Sequence, residues 1–372
     1  YNPLFIYGGT GLGKTHIVQA IGNKILEDYP NKRIVYATSE KFTSDFIAAI
    51  SDRSIADFTR MYRDVDVLII DETSMIDTAL MYHLLKAVPA TASCIFVGDV
   101  NQLPSVGAGN VLNDLIASGA VAVVELTEIF RQARASRIIV NAHRINAGEL
   151  PSGSPADIFD PQNDFYFIEQ DDPEKVLEII LELAHRRISL RFGFDAVDDI
   201  QVLTPMHKGL VGTIHLNQAL QRVLNPNAAG ISLAGQSFKL GDKVMHLINN
   251  YQKEVYNGDI GIICSIDRQK KELSVDYYGR TVLYAADELD QITTAYAISV
   301  HKSQGSEYPV VIVPLVTQHY VLLQRNLLYT AMTRGKKVVI LIGTKKALHI
   351  ALKNDKPHQR LSSLAARLKE HG

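Results

Sequence analysis

Short apolar runs recur along the first part of the chain, separated by stretches with a different period. The runs at 4–7 (LFIY), 33–37 (RIVYA), 66–70 (DVLII), 93–97 (SCIFV) and 121–126 (VAVVEL) have strand length and strand composition. Between them, 14–27, 40–50, 54–62, 76–87 and 109–117 repeat apolar residues every three or four positions, the period of an amphipathic helix. Phe42, Phe46, Ile47 and Ile50 line one such face, with Ser39 ahead of them as the expected N-cap. Regular alternation of the two patterns predicts a parallel sheet covered by helices on both faces.

The pattern changes twice further on. PSGSPADIFDPQND (151–164) carries no periodicity and is rich in Pro, Ser and Asp, as linkers are. EKVLEIILELAHRRI then predicts a helix and DIQVLTP a strand. Residues 237–289 hold only short runs bounded by Gly and Asp, with an Asn257-Gly258 turn, and predict a small antiparallel β-barrel. Strand-like VVIVPL and VVILIG follow TTAYAISVHKSQG. The predicted organisation is an α/β unit over 1–150, a second α/β unit from 151–236 and 290–352, a β insert at 237–289 and a tail at 353–372.

Composition narrows the partners. With 372 residues, 47% hydrophobic and 21% charged, the chain reads as an ordinary globular protein of two or three domains. A net charge of −2 excludes a general basic field, so any nucleic-acid contact must come from a local groove. Cys94 and Cys264 both fall in apolar runs and read as buried thiols of a reducing compartment, without disulfide or zinc spacing. No apolar run approaches membrane-spanning length, so no membrane partner and a cytoplasmic location are expected. The start at Tyr1, almost on the first strand, reads as that of a fragment.

One motif carries clear chemistry. Gly8, Gly9, Thr10, Gly11, Leu12, Gly13, Lys14 and Thr15 spell GGTGLGKT between a strand and a helix that continues with His16. Backbone N–H groups of such a turn wrap phosphates, and the helix N-terminus adds its positive end. Lys14 then reaches the β- and γ-phosphates of ATP, and the Thr15 hydroxyl holds Mg²⁺. Strand DVLII ends at Asp71-Glu72, where Asp71 would organise the metal and Glu72 would polarise the attacking water. A bare acidic turn is the alternative, and the upstream loop argues against it. Gln102, in GDVNQLPSVGAG, stands where a neutral amide contacts a γ-phosphate or its water, although alone it reads as part of a polar loop stabilised by Asp99 and Pro104. Arg131 and Arg334 are candidates for the cation that phosphoryl transfer requires.

From about Val65 to about Leu352 the order of motifs resembles the RecD-like DNA helicases of superfamily 1, which move 5′ to 3′ on single strands. The stretches are IIDETSMID, FVGDVNQLPSVGAGNVL, LTEIFRQA, VLTPMHKG, GDKVM, VYNGDIG, AYAISVHKSQGSEYPVVIVPL and RNLLYTAMTRGKK. This resemblance implies two RecA-like motor domains with ATP between them and an SH3-like β insert. Lys14, Thr15, Asp71, Glu72 and Gln102 would belong to the first, with Arg131 near the cleft and Arg334 on the second. Gly305 and Glu307 would bind nucleotide from the second domain. His301, Lys302, Ser303 and Gln304 would lie on the DNA track. The implied partner is single-stranded DNA or a duplex with a single-stranded tail, in DNA repair or replication, with the protein most simply a monomer.

The N-terminal segment is different. YNPLFIYGGTGLGKTHIVQAIGNKILEDYPNKRIVYATSEKFTSDFIAAI and SIADFTRMYRDVDVLIID resemble the replication initiator DnaA, an AAA+ ATPase, up to about Asp71. The chain is therefore a mosaic. Residues 37–63 stand where the helicase family has a strand-gripping loop, leaving no room for its duplex-splitting β-hairpin pin. Lys41, Arg53 and Arg60 would meet phosphates there or form a solvated helix face. Three functions follow: an ATP-driven single-strand DNA motor, an initiator-like ATP switch that binds DNA, or a chimera whose ATPase is uncoupled from DNA.

Overall fold

The computed structural model describes residues 2–51, 62–128, 135–152, 163–233, 235–355, 360 and 362–371. It divides into two units: Tyr1–Asn146 with Asp355–Gly372, and Ala147–Asn354.

The first unit holds β1 (Leu4–Gly8), β2 (Ile34–Thr38), β3 (Val67–Asp71), β4 (Ser93–Gly98) and β5 (Ala122–Leu126) in the order β2-β3-β4-β1-β5. Every pairing is parallel. All five residues of β3 are buried, the apolar run VLII and Asp71 after it, as an inner strand covered on both faces requires. Phe5 of β1 stacks on Phe96 of β4 with ring centroids 4.8 Å apart. Phe42, Leu68, Ile70 and Leu84 complete the core on one face. On the other, the helix Lys14–Asp28 sets Val18 against Ile6, Ile69 and Val97.

Three local differences from the sequence pattern have simple causes. The helix Ser39–Ser51 is capped by Thr38, whose hydroxyl accepts from Lys41 N at 3.1 Å, because the Ser39 hydroxyl is committed to the Glu72 carbonyl at 2.9 Å. The next helix runs over Thr78–Ala87, with the Asp77 carboxylate accepting from Leu80 N at 2.8 Å as its cap. The segment expected as a tail instead forms the helix Leu364–His371, which packs on the helix Val111–Ser118 and puts Leu364 against the core of the first unit. The helix expected over 54–62 lies outside the described residues apart from Tyr62, which meets Phe42 edge-on at 5.2 Å.

In the second unit, β6 (Phe165–Glu169) and β7 (Ile200–Thr204) flank the helix Pro173–Glu182, which continues through a π-helical turn at Leu183–Arg187. After the helix Thr213–Leu224 comes a hairpin, β8 (Gly230–Leu233) and β9 (Gln236–Lys239). Then follow β10 (Lys243–His246), β11 (Ile260–Asp267), β12 (Glu272–Tyr277), β13 (Arg280–Tyr284) and β14 (Ile292–Thr294). These five form an antiparallel sheet in the order β13-β12-β11-β10-β14 around Phe238, Val244, Val275 and Ile292. The β material thus spans more than 237–289, beginning at β8 and ending at β14. The chain returns through β15 (Ala297–Ser299), β16 (Tyr308–Leu315) and β17 (Gly335–Gly343) to a parallel sheet ordered β15-β7-β16-β17-β6.

Cys264 corrects the reading of both thiols as buried. Cys94 is buried, but Cys264 is exposed. Ile263 faces the core, so strand alternation turns Cys264 outward, and the β11–β12 register shift between Ile263 and Ser265 leaves Ser265 exposed as well.

A buried carboxylate ties the β insert to the α/β part of its unit. Asp242, fully buried, accepts from Gln221 Nε2 at 2.5 Å, Lys239 N at 2.7 Å, Asn225 Nδ2 at 2.8 Å and Tyr296 OH at 2.9 Å. Burial and the Asp242 charge both push the Tyr296 hydroxyl above its usual pKa.

Candidate nucleotide site and a cavity beside the β insert

β1 delivers the chain to the glycine-rich turn at the C-terminal edge of the sheet. A Cβ on Gly8 would lie 2.6 Å from the Leu126 carbonyl at the end of β5, so only glycine lets the two strand ends meet. Gly11 and Gly13 hold φ of 74° and 77°, and the helix starts at Lys14. The turn is also propped from behind. Ile139 on the helix Arg137–Asn146 abuts Gly11, and His143 Nε2 lies 3.3 Å from the Thr10 carbonyl.

Lys14 Nζ donates to the Gly8 and Gly9 carbonyls, both at 2.8 Å, and lies 3.9 Å from Asp99 Oδ2. Asp99 ends the strand run of β4 and is fully buried; its Oδ1 accepts from Asn101 N at 3.0 Å. On the neighbouring strand, Asp71 Oδ2 accepts from the Thr15 hydroxyl at 2.9 Å and from Tyr36 OH at 2.9 Å. Its Oδ1 accepts from Glu72 N at 2.8 Å. The Tyr36 hydroxyl is pushed well above its usual pKa by burial and then by the Asp71 charge, so it stays a donor to the carboxylate.

Glu72 has φ 56° and ψ 38°, a left-handed conformation that costs a non-glycine residue about 1 kcal/mol. Ser39 and the amide of Met75 hold its carbonyl in place. The strained backbone stands at a strand end beside the phosphate loop. Gln102 is buried, its backbone N donates to the Asp99 carbonyl at 3.2 Å, and its side-chain Oε1 has no partner among the described residues. His16 is exposed at the first turn of the helix, and Leu12 is buried beneath the loop. Lys41 pairs with Asp45 at 2.6 Å, as residues of a solvated helix face do. Arg131, Arg53 and Arg60 lie outside the described residues.

The donor set fits a magnesium-bound nucleotide. One hydroxyl, Thr15, and one carboxylate, Asp71, stand together at the loop, which leaves phosphate oxygens and water to complete an octahedral shell. Among the described residues no group of three or more His, Cys, Asp or Glu side chains forms an all-protein cage.

In the second unit, His301, Lys302 and Ser303 form a single helical turn after β15, capped by the Ser299 hydroxyl, which accepts from Lys302 N at 3.3 Å. Ser303 donates to the Val300 carbonyl at 2.8 Å, and Gln304 is buried. Lys302 Nζ donates to Asn257 Oδ1, and burial lowers its pKa. Lys302 and Ser299 also line a cavity of about 490 Å³ with His207, Thr213, Asn217, Gln221 and Met245. Gly305 holds φ 77°, and Glu307 pairs with Lys336 at 3.0 Å on the surface. Arg334 is 3% exposed and donates to the Ser306 carbonyl at 3.1 Å, the Thr330 carbonyl at 3.3 Å and the Thr333 hydroxyl at 3.3 Å.

Sequence reasoning passed over Tyr36 and His143 and gave Asp99 only a loop-stabilising part. Asp99 had a usable signal: it ends an apolar strand run, as Asp71 does. Tyr36 and His143 had none, because chain distance hides their contacts.

A five-stranded parallel sheet with this loop between its first strand and helix, and an acidic residue facing the threonine, defines a P-loop NTPase fold. Comparison with known proteins makes the class narrower. Residues 216–277 match the ATP-dependent RecD-like DNA helicase SH3 domain and 294–342 the UvrD-like helicase C-terminal domain. Residues 1–93 match the bacterial DnaA ATPase domain, extending past Asp71 into β4.

The ATP-dependent RecD2 DNA helicase of Deinococcus radiodurans is 36% identical over 307 residues, covering 82% of this chain and 40% of that protein. The RecBCD enzyme subunit RecD of Mycolicibacterium smegmatis is 30% identical over 314 residues, covering 82% of this chain and 55% of the relative. The chain therefore spans about half the length of these curated relatives. Among solved structures, the Pif1 helicase from Candida albicans aligns with TM-score 0.54 at 17% identity over 100% of this chain and 96% of that one, a likeness of fold. The chain is a mosaic: RecD-like over most of its length, with a DnaA-like segment at its N-terminal end. Among the described residues no helix is long and apolar enough to cross a membrane.

Proposed function

We propose that this chain is an ATP-dependent DNA motor, a helicase or translocase that hydrolyses ATP at the Gly8–Thr15 loop and moves 5′ to 3′ on single-stranded DNA. The observation that carries the proposal is the loop itself. Lys14, Thr15, Asp71 and Asp99 stand within hydrogen-bond or ion-pair distance on adjacent strand ends, in a chain 36% identical to a RecD2 helicase.

A triphosphate seated in the loop competes with the Gly8 and Gly9 carbonyls for the Lys14 ammonium. Because charge-assisted bonds to phosphate are the stronger ones, Lys14 turns from carbonyl to phosphate. Thr15 and Asp71 hold Mg²⁺, which neutralises phosphate charge when bound. Glu72 orients and deprotonates the attacking water, and the Gln102 amide meets the γ-phosphate or that water. Arg131 and Arg334 supply the cations for charge developing in transfer. For Arg334 this requires its guanidinium to leave the Ser306 and Thr330 carbonyls. Gly305 and Glu307 contact nucleotide from the second unit. His301, Lys302, Ser303 and Gln304 contact the strand, with Lys302, which lines the cavity beside the β insert, on a phosphate.

Steady-state ATPase activity with and without a single-stranded oligonucleotide tests this, with Lys14→Ala as the reference. Stimulation by DNA that disappears in Lys14→Ala supports the motor. Hydrolysis indifferent to DNA supports an ATPase uncoupled by the mosaic join, and equal activity in Lys14→Ala removes the site.

The match of residues 1–93 to the DnaA ATPase domain favours a second reading, an ATP-switched DNA-binding module. It expects ATP-dependent assembly with little turnover. Light scattering that gives one mass with ATP, with ADP and without nucleotide counts against it and for the monomeric motor.

A further inference from the structure

The loop that carries Gln102 runs from the end of β4 to the helix Val111–Ser118 and is gripped from two sides. On one side, the backbone N and the hydroxyl of Thr78 both donate to the Ala108 carbonyl, at 3.0 and 3.1 Å. The fit there is too close for side chains: a Cβ on Gly107 would fall 1.9 Å from Asp77 Oδ2, and Gly109 holds φ 95°. On the other side stands a residue from the far end of the chain. Arg360 Nη1 donates to the Gly107 carbonyl at 2.6 Å and the Gly109 carbonyl at 2.9 Å, and Nη2 donates to the Ser105 carbonyl at 2.7 Å. The helix Leu364–His371 then lies on the helix into which the loop leads.

Three carbonyl oxygens converging on one point need a multidentate donor. A guanidinium supplies it in a fixed planar fork, which an ammonium does not. The same loop begins at Asp99, whose carbonyl accepts from Gln102 N and whose carboxylate faces Lys14 at 3.9 Å. Holding the loop at Ser105–Gly109 therefore limits where the Gln102 side chain can sit relative to the phosphate loop.

We propose that Arg360 is a positioning residue for the Gln102 loop, a strap that ties Ser105–Gly109 to the C-terminal part of the first unit. For its effect on turnover the proposal rests on the ATPase reading above, whereas its structural part does not.

Arg360→Ala is compared with wild type by hydrogen exchange and by ATPase kinetics. Exchange in the peptide 99–110 and at the Thr78 amide is expected to quicken by about tenfold, with the helix Lys14–Asp28 unchanged. The kcat is expected to fall about fivefold or more with KM within about twofold, because a γ-phosphate contact acts in the transition state. In a Gln102→Ala background, Arg360→Ala is expected to cause no further loss; a general folding defect would add to it. Unchanged exchange at 99–110, or additive losses, overturns the proposal. If wild type hydrolyses ATP no faster than Lys14→Ala, the ATPase reading fails and the exchange result alone decides the strap. If Arg360→Ala does not fold, Arg360→Lys, which keeps the charge and loses the fork, is put through the same measurements.

Discussion

Tyr36 and Thr15 donate to the same oxygen, Asp71 Oδ2, each at 2.9 Å. One comes from the strand beside Asp71 and the other from the helix after the glycine-rich turn. The carboxylate proposed to organise Mg²⁺ thus commits a lone pair to a phenol that stays protonated. Removing that donor frees a lone pair for a metal-bound water. In Tyr36→Phe the Mg²⁺ concentration for half-maximal ATPase is expected to fall by about two- to fivefold. A rise would assign Tyr36 to holding Asp71 in place.

The close approach of Gly8 to β5 makes a stability prediction. Gly8→Ala sets a methyl group 2.6 Å from the Leu126 carbonyl, which has no freedom to retreat within a paired strand. Overpacking of this kind costs about 1–3 kcal/mol. Thermal melting should show the loss even without nucleotide, separating it from a binding defect.

His246 makes the second unit acid-sensitive. It is fully buried, its Nδ1 lies 3.0 Å from Tyr284 OH, and burial followed by the Lys253 charge holds its pKa down at about 4. An unfolded imidazole titrates near 6.5. Between these values the unfolded chain binds more protons, so stability rises with pH across that window. It is fully present above the unfolded value and is lost as pH falls, approaching about 3 kcal/mol below pH 4. Denaturant midpoints measured from pH 7 to 4 should show this slope, and His246→Gln should flatten it.

Lys302 is the cation at the cavity for which a phosphate contact is proposed. Lys302→Ala should weaken single-strand binding at all sequences alike and reduce the slope of log affinity against log salt by about 1. An unchanged salt slope would move the strand elsewhere.

The two cysteines should separate cleanly. Cys264 is exposed on its bulge, while Cys94 is buried with its pKa raised by burial. A thiol reagent is expected to label one site in the native protein and the second only on unfolding; Cys264→Ser should abolish the fast phase.

What could be read from the chain follows from how local each feature is. The glycine-rich loop and Asp71 were legible because strand, turn and helix are contiguous, and because the apolar run DVLII stops at Asp71. The first unit's strands were found within a residue or two for the same reason. His143 was not legible: it reaches Thr10 across 133 residues. Cys264 was misplaced because an apolar run does not say which face each side chain takes, and here Ile263 holds the core-facing position. The segment LAARLKEH is short and carries three charges in eight residues, so nothing in its pattern shows that Leu364 reaches a core. Arg360 gave no signal, since its partners are backbone carbonyls that every residue has.

The strand order of the first unit has a consequence for how the chain is made. The DnaA-like residues supply β1, β2 and β3, yet β1 pairs with β4 and β5, both from the helicase-like part. β1, ahead of the other four in chain order, is therefore the one enclosed last. As the chain leaves the ribosome, β2 and β3 can join at once, but β1, with the nucleotide loop at its end, waits exposed until residue 126 emerges. The ancestry of the two parts meets along three of the sheet's four seams, and the protein cannot acquire its phosphate loop as a finished piece.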